Sequence, residues 1–243
     1  MIQKTLVVGP FQCNCRIWVC PKTGEALVVD PGDEAQKIIH ELQALRLPSG
    51  LPVQVKVLLH THGHLDHIGA TAQVARALGH PSAPLAATRE GSAPVSMSGG
   101  SGPRIALHRD DEPLYQKLRM QGQMFGFQLE EPLPIDHFLE DEETLNVGQL
   151  RLQILHTPGH SPGSVCIRVH EDRELGVSES VLSGDTLFRG SVGRTDLWGA
   201  NQDQMFRSIF NRILTLDGDT RVCPGHGPDT TIGVEKRTNP FLI

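Results

Sequence analysis

Residues 61–67 read Thr61-His62-Gly63-His64-Leu65-Asp66-His67. They follow an apolar, β-branched run at 53–59 and precede an Ala-rich segment of helical character. Three imidazoles and one carboxylate therefore share a loop between a strand and a helix. These are ligand types that Zn²⁺ and Fe²⁺ accept. In extended backbone, side chains two residues apart point to the same side, so His62 and His64 project together. Asp66 and His67 sit at the turn into the helix and can face a second centre. The segment offers ligands for two ions rather than four for one. One histidine here would read as an ordinary polar loop residue. The pattern H-x-H-x-D-H after a buried strand does not.

Three more positions extend the pattern. His160 lies in Thr157-Pro158-Gly159-His160-Ser161-Pro162-Gly163, a turn between two expected strands. Asp185 lies in Ser183-Gly184-Asp185-Thr186, at a strand end, and His226 in Pro224-Gly225-His226-Gly227, after the last strand. Each is a ligand type flanked by Gly or Pro, residues that let the backbone turn sharply. Strand-end loops are where a rigid scaffold displays functional side chains.

Short apolar runs between turn residues predict strands at 5–8, 14–19, 26–30, 53–59, 135–138, 144–147, 150–155, 164–169, 180–183 and 221–223. Asp30-Pro31-Gly32-Asp33 reads as a turn that can also cap a helix over 34–45, with Ile38, Ile39, Leu42 and Leu45 on one face. Helices are also expected over 66–78, 111–123, 202–214 and 231–237. Residues 81–103 are dominated by Ser, Gly, Pro and Ala and follow neither period. They read as a long mobile insertion, disordered or folded over the site as a lid. Strands then helices, twice over, predict an α/β chain: one domain over 1–243, a sandwich of two mixed β-sheets with helices outside.

The composition narrows the classes. The 243 residues are 38% hydrophobic and 21% charged, as in globular proteins, and a net charge of −6 argues against a nucleic-acid partner. The five cysteines are odd in number and form no C-x-x-C pair, which predicts no disulfide framework and a reducing, cytoplasmic setting. Cys13 and Cys15, in a strand-like segment, are expected to pack rather than bind metal. No signal peptide is visible, and no stretch approaches the ~20 apolar residues that span a bilayer.

Taken in order, the set resembles the metallo-β-lactamase superfamily, most nearly its glyoxalase II (hydroxyacylglutathione hydrolase) branch in the short, single-domain bacterial form. The resemblance also rests on Phe11-Gln12-Cys13-Asn14-Cys15, Val29-Asp30-Pro31-Gly32, Gly184-Asp185-Thr186-Leu187-Phe188 and Gly193-Arg194-Thr195-Asp196. It implies the αββα metallo-β-lactamase fold and two divalent metal ions, zinc with iron or manganese as alternatives. One metal would take His62, His64, His160 and a shared Asp185. The other would take Asp66, His67, His226 and the same Asp185.

The resemblance implies hydrolysis of a small-molecule thioester such as S-D-lactoylglutathione, by attack of a metal-bridging hydroxide that Asp66, as catalytic residue, would orient. The chemistry agrees. A thiol of pKa about 8.5 leaves as thiolate without a general acid, whereas an amine needs a proton. Arg194 falls where the glutathione enzymes place a basic residue on the peptide carboxylate, and Lys236 and Arg237 are further candidates for an anionic substrate. Only 17 residues (243 − 226) follow His226, so the C-terminal helical domain of glutathione-specific relatives is not expected. Their two substrate tyrosines are matched here by Asp196 and Pro228. Three other readings stay open: an iron-dependent persulfide dioxygenase of the same fold, for which His62, His160 and Asp185 would suffice, and a lactone or β-lactam hydrolase. A nuclease would want a basic extension, and a closed structural zinc site takes four protein ligands. Monomer and dimer are both compatible with the sequence.

Overall fold

Both faces of most central strands are apolar, so each sheet must be covered on two sides. The computed structural model describes residues 1–81, 94–98 and 102–243. Its first strands in chain order are β1 (Ile2–Val8), β2 (Cys13–Val19), β3 (Glu25–Val29), β4 (Gln54–Leu59), β5 (Val95–Ser96), β6 (Arg104–His108) and β7 (His137–Leu139). They continue as β8 (Thr144–Val147), β9 (Leu150–His156), β10 (Val165–Val169), β11 (Ser180–Gly184), β12 (Leu187–Phe188), β13 (Ser191–Val192), β14 (Arg221–Pro224) and β15 (Thr230–Thr231). The helices are α1 (Ala35–Ala44), α2 (Leu65–Ile68), α3 (Thr71–Ala77), α4 (Glu112–Gln116), α5 (Leu118–Met124), α6 (Gln202–Ser208) and α7 (Ile232–Thr238).

One sheet has the order β1-β2-β3-β4-β6-β7, the other β15-β14-β11-β10-β9-β8-β5, and β12 and β13 form a separate small hairpin. Both sheets are mixed. An antiparallel meander β1–β3 continues into the parallel strands β4, β6 and β7. In the second sheet β11 and β14 are parallel, while β8 to β11 run antiparallel.

Alternation along each strand builds the layers. Leu27 and Val29 of β3 face the second sheet, meeting Ile154, Val165 and Ile167 in the central core. Ala26 and Val28 face the other way, against Ile38, Ile39 and Leu42 of α1 and Val74 of α3. On the outer face of the second sheet, Cys166, Val181 and Val222 pack against Ile213 and Ile232. The result is an αββα sandwich.

The structure changes several sequence expectations. Residues 30–33 do not cap α1: its first helical residue follows Glu34, with no side-chain cap, and Asp30 turns inward at φ 53°. The helix expected over 66–78 is two helices. At the break, Ala70 N–H donates to Pro31 O, and a Cβ on Gly69 would lie 2.5 Å from Gly32 O, so packing on that turn interrupts the helix. The helix expected over 111–123 is split at Lys117, where the Gln121 side chain takes the Leu114 carbonyl. Residues 202–214 begin as α6 and end in a wider π-turn, with Leu214 N–H bonded to Ile209 O.

Strand β6 was not expected. Its apolar core, Ile105-Ala106-Leu107, is too short to stand out after Pro103, yet it pairs in parallel with both β4 and β7. Of the insertion expected at 81–103, residues 82–93 and 99–101 lie outside the described residues. Within it, Val95–Ser96 pairs with β8, and Met97 is fully buried. All five cysteines are free and buried, and Cys13 and Cys15 belong to the core.

Parallel pairing positions the site. β3 beside β4 and β11 beside β14 end together, so the loops after Val29, Leu59, Gly184 and Pro224 leave on shared edges. Ile167, fully buried in the central core, tests how far that scaffold depends on packing. Ile167→Ala should cost ~2–5 kcal/mol in urea unfolding, with metal stoichiometry unchanged because the change lies within β10.

Candidate metal centre

The loop after β4 begins with a turn held from behind. Asp30, itself 2% exposed, accepts from Thr61 N–H at 2.8 Å and Thr61 Oγ1 at 2.7 Å, and its Oδ2 lies 3.0 Å from His67 Nδ1. A buried carboxylate requires such partners, and these fix both ends of the His-rich stretch. Gln121 holds the middle: it accepts from Leu65 N–H and donates to Gly63 O, both at 3.0 Å.

The structure brings His62, His64 and His160 together, with one nitrogen from each within 4.8 Å of the others. It groups Asp66, His67 and His226 in the same way. Asp185 lies between: Oδ1 is 3.4 Å from His67 Nε2, and Oδ2 is 3.6 Å from both His160 Nε2 and His226 Nε2. Asp66 Oδ2 is 3.2 Å from His226 Nε2. A bulge at the end of β11 delivers Asp185, and a Cβ on Gly225 would lie 2.4 Å from its Oδ1. Only glycine lets the β14 loop pass so close.

Do these residues fit metal ions? A ligating histidine ordinarily spends its second ring nitrogen on a hydrogen bond, which sets tautomer and orientation. Four rings here follow that pattern through Nδ1. His67 meets Asp30, His160 the Arg194 carbonyl at 2.9 Å, His226 the Gln12 carbonyl at 3.2 Å, and His62 the Thr61 hydroxyl at 3.1 Å. Their Nε2 atoms then turn inward. His62 Nε2 and Asp185 Oδ1 are buried with no hydrogen-bond partner. His64 Nδ1 stands 2.9 Å from His160 Nε2, and His67 Nε2 stands 3.2 Å from His226 Nε2. Two nitrogens on one tetrahedral zinc would be ~3.3 Å apart at Zn–N ~2.05 Å. The donor set fits two divalent cations.

The electrostatics of the His62/His64 pair point the same way. Burial, then the neighbouring imidazoles, pushes His62 well below its ordinary pKa, and burial with His160 beside it lowers His64 to about 3. Both are neutral at pH 7, with lone pairs available. Burial would raise the Asp66 carboxyl, but His67 and the His226 hydrogen bond hold it well below the usual carboxylate range.

The other candidate residues are placed differently. Arg194 lends its backbone carbonyl to His160, while its exposed guanidinium pairs with both oxygens of Asp196 at 2.7 and 2.8 Å. Lys236 and Arg237 are not brought into the cluster: they lie exposed on the last turn of α7. Sequence reasoning missed Asp111 and Gln121, whose polar side chains return to these loops from a distant segment, and treated Asp30 only as a turn residue.

His60, at the end of β4, is a buried histidine outside the cluster, with Nδ1 unpartnered. Burial lowers its pKa to about 4, against the pull of Asp30. An unfolded imidazole titrates near ~6.5, so between that pH and about 4 the unfolded chain holds a proton the folded chain does not. This site's contribution to stability is whole above ~6.5 and is lost as pH falls, by on the order of 3 kcal/mol. Urea titrations of metal-depleted protein from pH 7.5 to 4.5 should show a shallower loss for His60→Asn than for the wild type.

Residues 8–226 match the profile of the Metallo-beta-lactamase superfamily. Hydroxyacylglutathione hydrolase GloC of Haemophilus influenzae is 35% identical over 97% of this chain and 95% of that protein. Among solved structures, TTHA1623 in a di-iron-bound form matches with a TM-score of 0.74 and 36% identity, covering 98% of this chain and 100% of that one. BLEG-1 B3 metallo-beta-lactamase matches with a TM-score of 0.77 and 32% identity, covering 99% of each chain. The chain belongs to the metallo-beta-lactamase superfamily.

Proposed function

We propose that this protein is a binuclear metal-dependent hydrolase of small-molecule thioesters, of the S-D-lactoylglutathione type. The observation that carries the proposal is the placement of Asp185 between two ligand sets, His62/His64/His160 and Asp66/His67/His226. The kinship with the Haemophilus enzyme supports the thioester, and the di-iron relative makes iron a candidate beside zinc. A bound pair of divalent cations would supply a water of lowered pKa and a Lewis acid for the carbonyl oxygen.

The chain's own groups do the rest. Asp66 is 21% exposed at its side chain, so it can reach a water at the mouth of the site as well as His226. Held as a carboxylate, it accepts that water's proton-bearing edge and orients the attack. No side-chain acid is required for a thiolate to leave.

We assign a substrate carboxylate to Arg194 rather than to Lys236 or Arg237, because the Arg194 backbone already touches His160. Its exposed pairing with Asp196 is worth little in water and can be exchanged for a substrate carboxylate held by two parallel bonds.

The test is loss of thioester absorbance when metal-loaded protein meets S-D-lactoylglutathione, with and without a chelator. Chelator-sensitive turnover is expected, and no turnover by loaded protein overturns the reading. Oxygen uptake with glutathione persulfide would replace it by the dioxygenase. His64→Ala and Asp185→Ala should each abolish hydrolysis and lower bound metal while the fold persists by circular dichroism. Full activity in metal-depleted Asp185→Ala would remove the two-metal mechanism. Arg194→Ala should raise KM about tenfold and leave kcat nearly unchanged, the pattern of lost uniform binding.

A further inference from the structure

Asp111 is a charged side chain with no exposure, at the end of a 3₁₀ turn (Arg109–Asp111) that follows β6. It belongs to neither ligand set. Its Oδ2 accepts from Gly63 N–H at 2.8 Å and from Ser161 Oγ at 2.6 Å. Its Oδ1 accepts from Gly163 N–H at 2.6 Å. Gly63 sits between His62 and His64, and Ser161 follows His160. One carboxylate thus ties together the two loops, one from each sheet, that carry His62, His64 and His160.

The steric fit is equally close. A Cβ on Gly163 would lie 2.6 Å from Asp111 N and 2.8 Å from its Cβ. A Cβ on Gly63 would lie 3.0 Å from Asp111 O. Both loops meet this residue backbone first, through glycine. The other ligand set is held by different groups: Asp30 behind His67, and the Gln12 carbonyl behind His226.

We propose that Asp111 is the positioning residue of the His62/His64/His160 metal site, clamping the β4 and β9 loops at the spacing one ion requires. The inference rests on the metal-binding reading above. Its chemistry requires a carboxylate. Only an acceptor-only group can take two backbone N–H donors and a hydroxyl on its two oxygens. Asparagine has the same shape, but its amide N–H₂ must face either Gly63 N–H or Gly163 N–H, so one loop is released. Supporting groups around metal ligands typically alter affinity 10–100-fold when removed.

The test uses full-length protein stripped of metal and titrated with Zn²⁺ in competition with a chromophoric chelator, with Co²⁺ spectra as the second readout. Wild type should bind two ions. Asp111→Asn should keep one at wild-type affinity and hold the other about 10–100-fold more weakly, with only one of the two Co²⁺ signatures altered. Ser161→Ala, which keeps both backbone bonds, should weaken the same ion by a smaller factor. It carries the test alone if Asp111→Asn does not fold. Two ions at wild-type affinity in Asp111→Asn, or equal weakening of both ions in either variant, would overturn the inference. Fewer than two ions in wild type would instead overturn the two-metal reading beneath it.

Discussion

Seven side chains of ligand type crowd one edge of this sandwich, and the structure depends on fixing them before any ion arrives. Buried imidazoles and carboxylates are costly unless each polar atom has a partner. Here the outward nitrogens are bonded to Asp30, Thr61 and two backbone carbonyls, and the inward ones converge. Orientation and burial are therefore one problem, solved from outside the cluster. Asp30 shows the strain involved, since it reaches Thr61 and His67 only by adopting a left-handed backbone at φ 53°.

The two sheets supply what a loop alone lacks. His62, His64, Asp66 and His67 come from the first sheet, and His160, Asp185 and His226 from the second. Their relative position follows from the central core, where Val29 and Leu59 pack with Ile154 and Val165. A slip of one residue in either sheet would turn the ligand-bearing ends to the wrong face. Close packing makes such a slip expensive, so precision at the site is inherited from the interior.

The motif H-x-H-x-D-H after an apolar strand, and single His or Asp residues beside Gly and Pro at later strand ends, were legible because ligand chemistry and turn chemistry are local. The two-sheet architecture was legible from the order of elements, strands then helices, twice over, because apolar runs and turn residues are local signals too. Helix lengths were less so. The split at Gly69 comes from packing on the Pro31–Gly32 turn, distant in the chain, and the split at Lys117 from the Gln121 side chain donating to the Leu114 carbonyl, neither of which the apolar period carries. β6 escaped notice because three apolar residues carry no period.

The sequence by itself determined which groups could hold metal and where turns would present them, since both properties belong to residue type and near neighbours. Only the tertiary structure decided what holds these groups in place. Asp30, Asp111 and Gln121 act across the chain, and Asp185 reaches both sets because two sheets meet there. Nothing within a few residues of Asp111 or Gln121 marks either of them out. Their roles arise when strands far apart in sequence are packed face to face, and a buried carboxylate must then find donors on whichever loops the fold brings to it.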